Sequence, residues 1–420
     1  MSDSLDLLRG NRNYRWTWLG QVVSEIGDHF NNVAVLALVL ETTGSGMAVS
    51  LLMVARAVPA VVAGPAAGVA LDRFDRRRIM LASDLVRAVV AFAFVLPAAQ
   101  RQSALLYALS AALMFASPFF SSGRAAILPT IVSPAELHTA NSLTQNTQSA
   151  TLVLGTVFAG FAAGKLGFVW AFVLNALSFL FSALAVWRLR VPGGFRARRR
   201  AAAGVLQPWR DYREGLRYLA RTPLLLGIAL MAMGWAAGGG AAQILFALFG
   251  EQVFRRGPAG IGTIWGFAGI GLLLGGLLGH LLADRLGFAA YKRSVSFSYL
   301  SHGISYVLFS LSRDYGAALL WMAASRVGMA TTSILNNLQM LRHTADEYRG
   351  RVFATIESLR WSTMIVSFAV AGVASQHFSA RAIGVVAGLL GALTGLLWAV
   401  ADWTGRLPEP TGASPNYING

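Results

Sequence analysis

Cysteine is absent from this 420-residue chain. That excludes disulfides, thiol nucleophiles and cysteine metal ligands. Charge is scarce too: 13% of residues are Asp, Glu, Lys or Arg, about half of what a soluble domain carries. Acidic residues are the scarcer sign, 19 against 35 basic, leaving a net charge of +16. There is no P-loop, no His-Glu-x-x-His, no Gly-x-Ser-x-Gly and no Cys/His metal set, so neither an enzyme nor a metal or prosthetic group is expected. The opening "MSDSLDLLRGNRNYR" lacks a short apolar core followed by a small-residue cleavage site, so no removed signal peptide is expected.

What is present is apolar: 55% of the chain is hydrophobic. The apolar residues come in runs of about 20, the length that crosses a bilayer as a helix. Twelve spans are expected, at 16–40, 48–70, 79–99, 103–131, 142–164, 168–188, 223–250, 258–282, 294–312, 316–341, 353–376 and 381–402. An even number puts both termini on one side. Sorting the loops by side gives 24 Lys and Arg with the termini and 6 opposite. The excess marks the cytoplasmic face, so both termini are expected inside. The basic charge lies where anionic lipid headgroups are, which makes lipid rather than nucleic acid its expected partner.

The one long connection splits the spans six and six. Residues 1–188 are expected to form one six-helix bundle, 223–403 a second, and 404–420 a short cytoplasmic tail. Between them, 189–222 reads as a cytoplasmic linker. It starts polybasic and ends in a helix with Trp209, Tyr212, Leu216 and Leu219 on one face and arginines between. Such a helix suits the membrane interface. The halves look duplicated. "ALDRFDRRR" at 70–78 is echoed by "LADRLG" at 282–287, and "SPAELHTANSL" at 133–143 by "ADEYRGRVFA" at 345–354, with offsets of 212 and 211.

Nine ionisable residues fall at membrane depth: Glu25, Asp28, Arg56, Asp84, Arg87, Arg124, Arg326, Glu357 and Arg360. Each costs about 2.5–3.5 kcal/mol on insertion scales and needs a reason. In the first span, Gln21, Glu25, Asp28 and Asn32 form one stripe, spaced four, three and four. A polar stripe must line a cavity or pack on another polar face. Two nearby carboxylates at low dielectric do not both stay ionised easily, which is the chemistry of proton loading. Asp28 and Glu25 are therefore coupling candidates; the competing reading is a structural ion pair with Arg56. His29 lies off the stripe. Asp84 and Arg87, three apart, read as a structural pair. Glu357 and Arg360 repeat that spacing, as gate or substrate contact. Arg326 could meet an anionic substrate group, with Asn336 and Asn337 about three turns away. Adding 211 to Glu25, Asp28 and Arg56 gives Ala236, Gly239 and Phe267, so the acidic stripe is not duplicated. The second half offers instead Trp235, Gln243, Trp265 and Trp361 as a substrate wall. Its Gly238-Gly239-Gly240 run permits either bending or close packing.

The charged loop between the second and third spans resembles the major facilitator superfamily. It carries Gly68, Asp72, Arg73, then Asp75 in place of a usual Gly, then Arg76, Arg77 and Arg78. Gly68 is expected to let helices approach closely, and Asp72 and Asp75 to favour the start of the third helix. Gly27-Asp28 and the turn with Pro134, Glu136, Leu137, Ala140 and Asn141 are similar to the macrolide-efflux and siderophore-exporter branch. The second-half loop has His280 where a Gly is usual. The fifth span has Gly155, Gly160 and Gly164, with Thr156 where the antiporter pattern has Pro, and Arg124 resembles the family's fourth-helix arginine. The resemblance implies an all-α membrane protein of two pseudo-symmetric six-helix bundles. It implies alternating access, latched by Gly68, Asp72, Arg73, Arg76 and Arg77, in a bacterial plasma membrane and as a monomer. Three functions follow: proton-coupled export of amphipathic small molecules, a lipid or lysolipid carrier of the same fold, or a non-transporting sensor.

Overall fold

A computed structural model describes residues 2–190, 195, 208–283 and 285–410. Among these residues every regular element is helical. The order is α1 (Ser2–Gly10), α2 (Arg12–Thr43), α3 (Gly46–Arg73), α4 (Arg76–Ala93), α5 (Pro97–Arg101), α6 (Ser103–Ile131), α7 (Leu137–Leu166) and α8 (Phe168–Trp187). Then follow α9 (Pro208–Arg221), α10 (Pro223–Leu248) with a π-helical turn (Phe249–Val253), and α11 (Gly257–Ala283). The rest are α12 (Phe288–Leu311), α13 (Tyr315–His343), α14 (Asp346–Ala374) and α15 (Ala380–Trp403).

Eight of these are long and apolar enough to cross a membrane: α3, α6, α7, α8, α10 with its π turn, α11, α13 and α15. This makes the chain a multi-pass membrane protein. Four further helices, α2, α4, α12 and α14, have spanning length but too little hydropathy. Each carries polar or charged groups along its length. Those groups must face protein or water rather than lipid.

Local chemistry fixes the helix ends. Asn11 begins α2 by accepting from the Tyr14 amide at 3.0 Å. Gly44, at φ +61°, ends it in the left-handed conformation that glycine adopts cheaply. Asp75 begins α4 by accepting from the Arg78 amide at 3.0 Å. Asp72 does not precede α4 as expected; it lies exposed in the last turn of α3.

The chain forms two compact units. One holds Met1–Ala202 with Phe246–Gly266, the other Ala203–Leu245 with Phe267–Gly420. In the first, α2 packs on α7 and α8, α3 on α6, and α4 on α6 and α8. The α2–α8 crossing is close because Gly27 has no side chain: a Cβ there would collide with Ser178. Where α7 meets the start of α11, a Cβ at Gly160 would stand 2.6 Å from the Pro258 carbonyl oxygen. Gly68 makes no such approach: a Cβ built there meets nothing within 4 Å, so close packing is not its reason. In the second unit α12 packs on α13 and α15. Gly238 sits against the Ala387 carbonyl and Gly240 against Ser367, within one unbroken helix. The glycine run there serves packing rather than a bend.

α9 belongs to the second unit. Its Asp211 and Glu214 pair with Arg351 of α14 at 3.2 and 3.0 Å. Tyr218 stacks on Tyr348 at 4.9 Å. Leu219 is buried in the core, so it faces protein; Trp209 is exposed. The polybasic start of the linker and Asp284 of the repeat lie outside the described residues. α6 and α13 are both 29 residues long and start at 103 and 315, an offset like that of the two repeated loops.

Candidate functional site

Each unit contains a cavity. That of the first unit, about 230 Å³, is walled by Gln21, Glu25 and Asp28 of α2, Arg87 of α4, Arg124 of α6 and Gln148 of α7. The stripe expected on α2 lies here because side chains three and four apart share a helix face. Glu25 is the hub. Its Oε1 accepts from Gln21 Nε2 at 2.9 Å and lies 3.5 Å from Arg124 Nη1; its Oε2 accepts from Thr151 Oγ1 at 2.8 Å. Gln21 also donates to the Thr144 carbonyl at 3.1 Å. Glu25 is thus held in one place by three partners.

Asp28 is held differently. Its Oδ1 is buried without a hydrogen-bond partner among the described residues, and so is Nη1 of Arg56. The structural ion pair between them is not formed. Neither Arg56 nor Asn32 lines the cavity. His29 packs against α7, where a Cβ at Gly155 would stand 2.8 Å from its ring.

Arg87 extends the set. It pairs with buried Asp84, and its guanidinium lies 4.6 Å over the Phe120 ring and 4.3 Å over the Phe179 ring. The pair forms, as its spacing predicts, and Arg87 also lines the cavity beside Asp28. Sequence reasoning missed this, and it missed α7. The spacing of Thr144, Gln148 and Thr151, four and three, repeats the logic of the α2 stripe and was the available signal.

The second unit's cavity is larger, about 420 Å³, and mostly apolar and aromatic: Met231, Trp235, Tyr299, Phe353, Glu357 and Arg360 face it. Glu357 accepts from Arg360 Nε at 3.0 Å and from Trp361 Nε1 at 2.8 Å. The guanidinium of Arg360 lies between two indoles, 5.5 Å from Trp235 and 5.2 Å from Trp361. The stacking and the ion pair with Glu357 together fix the guanidinium. Asn336 and Asn337 line the same space, Asn336 accepting from Tyr291 at 2.8 Å. Three expected wall residues are elsewhere. Gln243 contacts Met364 Sδ at 3.8 Å; Trp265 packs edge-on against Phe246; Arg326 lines a separate small gap.

The loop after α3 is anchored within the first unit. Arg76 donates to the Ala126 carbonyl at 2.7 Å; Arg77 donates to the Val186 carbonyl at 3.1 Å and to that of Trp187. The carbonyls that Arg77 satisfies are at the end of α8, where a helix attracts a cation. Arg73 and Asp72 stay exposed. After α6, Glu136 accepts from the Ser133 amide and hydroxyl at 2.9 and 2.8 Å, which holds its carboxyl below the usual carboxylate range.

Comparison with known proteins places these features. The chain is 26% identical to the uncharacterized MFS-type transporter YfiS of Bacillus subtilis (strain 168), covering 93% of each. It is 27% identical to macrolide efflux protein A of Streptococcus pyogenes, over 88% of this chain and 89% of that one. With the multidrug efflux pump Tap of Mycolicibacterium fortuitum it shares 26% identity, over 86% and 90%. Among solved structures, the nucleoside transporter NupG (D323A mutant) superposes with a TM-score of 0.77 at 11% identity, over 92% of this chain and 99% of that one. The likeness at that identity is one of fold alone. The profile of the Major Facilitator Superfamily matches residues 17–367, and the chain belongs to that family of transporters.

Proposed function

We propose that the chain is a secondary active transporter that exports amphipathic small molecules of drug, macrolide or siderophore type. Protons drive it, by alternating access. The observation that carries this reading is Asp28: a buried carboxylate oxygen with no hydrogen-bond partner among the described residues, on the wall of a polar cavity. An ionisable group kept in that state at membrane depth needs a function, and loading and releasing a proton is the simplest. Glu25, tied to Arg124, sets the charge beside it. Arg56, also buried, is the remaining coupling residue. The aromatic cavity with Trp235, Glu357 and Arg360, backed by Trp361, receives the cargo. Its apolar walls suit an amphipathic molecule, and its few polar groups orient it. The efflux named for macrolide efflux protein A and Tap supports the outward direction. The loop with Gly68, Asp72, Arg73, Arg76 and Arg77 acts as the conformational latch, on the cytoplasmic side of a bacterial plasma membrane. In vesicles with an imposed pH gradient, Asp28→Asn abolishes gradient-driven flux while leaving cargo counterflow intact. Normal gradient-driven flux in that variant would refute the assignment.

A second reading, a lipid carrier, is favoured by one observation. Ala237, Val366, Val370, Phe378, Val386 and Leu390 line a groove of about 410 Å³ whose walls are almost wholly apolar. If lysolipids raise the melting temperature of the purified protein and macrolides and siderophores do not, the lipid reading replaces the first.

A further inference from the structure

The second unit holds another, much smaller gap of about 10 Å³, walled by Trp235, Gly238, His302, Tyr306, Arg326 and Gly391 among others. Its lining is short of acceptors. Tyr306 is only 2% exposed, and its hydroxyl has no hydrogen-bond partner among the described residues. The indole Nε1 of Trp235 is buried in the same condition. One nitrogen of the His302 ring is committed elsewhere: its Nδ1 lies 2.8 Å from Ser325 Oγ and 3.0 Å from the Ser325 carbonyl oxygen. Arg326, itself buried, lies with its guanidinium 5.8 Å from the Tyr306 ring centroid. No carboxylate lines the gap.

Buried donors left unmade cost free energy. Two of them belong to residues that line one gap, where a hydrogen-bond acceptor is the missing partner. The positive charge of Arg326 at the same place turns a preference for an acceptor into a preference for a negative one. The volume is about that of a single water-sized occupant, so the acceptor is monatomic or the tip of a larger group. Trp235 lines this gap and the larger cavity alike, so the two spaces adjoin at its ring. We infer that Tyr306, Trp235 and Arg326 form a binding site for a small anion, either a chloride-sized ion or the carboxylate tip of a cargo molecule. The free-ion form is independent of the export reading; the carboxylate form rests on it.

The test uses the purified full-length protein in a detergent or nanodisc, in methanesulfonate, an anion too large for the gap, at fixed ionic strength. Chloride and acetate are titrated separately while melting temperature and tryptophan fluorescence are followed. The expected result is a saturable rise in melting temperature with a matching fluorescence change. A response to chloride alone assigns a free ion, and a response to acetate alone a carboxylate; a response to both supports their shared chemistry. Arg326→Gln is expected to weaken the midpoint by about tenfold or more, the loss of a charge-assisted hydrogen bond. Tyr306→Phe, which keeps the ring and its packing, is expected to weaken it about threefold. Identical melting in all three salts leaves only water in the gap and overturns the proposal. So does a response that neither variant alters, because it then arises elsewhere. Neither a pH gradient nor a cargo is present, so the outcome is separate from the fate of the export reading.

Discussion

The two cavities lie one in each compact unit and are chemically unlike. The first is enclosed by Glu25, Asp28, Arg87 and Arg124 in about 230 Å³; the second has only Glu357 and Arg360 in about 420 Å³. α2 and α10 occupy equivalent places in the repeat, yet α10 is apolar enough to span a membrane and α2 is not. Where α2 has Glu25 and Asp28, the positions 211 further on are Ala236 and Gly239. One half has concentrated titratable groups in a small space and the other has kept room and aromatic surface. The difference teaches what the proposed function would require: charge handling in one cavity and cargo recognition in the other.

The sharpest way to break that division is at Arg87. Removing it as Arg87→Met strands Asp84 as a buried charge, at a cost of about 3–5 kcal/mol, read as a large fall in melting temperature. The double variant Asp84→Asn with Arg87→Met is expected to recover much of the loss. A single Arg87→Met as stable as the parent would mean the pair is not buried as described. Thr151→Val removes one hydrogen bond to Glu25 and is expected to cost about 1 kcal/mol; melting curves and gradient-driven flux should both register it. Glu357→Gln sits at the other cavity in a half-exposed pair, where ion pairs contribute about 0–1 kcal/mol. Stability should hardly change, whereas cargo affinity in a binding titration should fall and gradient coupling persist. Loss of coupling in Glu357→Gln would erase the proposed division. The smallest effect is at Glu136. Its carboxyl is held below the ordinary range, so its contribution is present above the unfolded-state value, near 4.3, and is lost as pH falls through the depressed folded one. For so exposed a group this amounts to a few tenths of a kcal/mol, and Glu136→Gln should flatten that part of the acid melting profile.

Much of the helix layout was legible. Apolar runs place 103–131 and 168–188 within a residue of α6 and α8. Other ends run past the apolar stretch: α12 starts at Phe288 rather than 294, and α14 at Asp346 rather than 353. Hydropathy reports where the bilayer is, whereas a backbone stays helical into water as long as its hydrogen bonds continue. The third span overshoots, because Pro97 opens a separate short helix after α4. α1 was missed: its apolar residues are few, and among its described side chains only Leu7 is buried. In the site, the α2 stripe was legible because it is periodic in one helix. The partnership of Glu25 with Thr151 joins residues 126 apart, and spacing along the chain carries no information about which helices meet. The same limit made Gly68 look like a packing glycine and Arg87 like a purely local partner of Asp84.

The seat of α9 on α14 moves the boundary of the second folding unit upstream of its first spanning helix, to at least Pro208. A fragment begun at Pro223 would lack Leu219 from its core, the ring that covers Tyr348, and both carboxylates that hold Arg351. Attempts to split the protein, to exchange halves between relatives or to insert a reporter should therefore cut ahead of this helix, since its sequence looks like connector while its contacts are those of a domain.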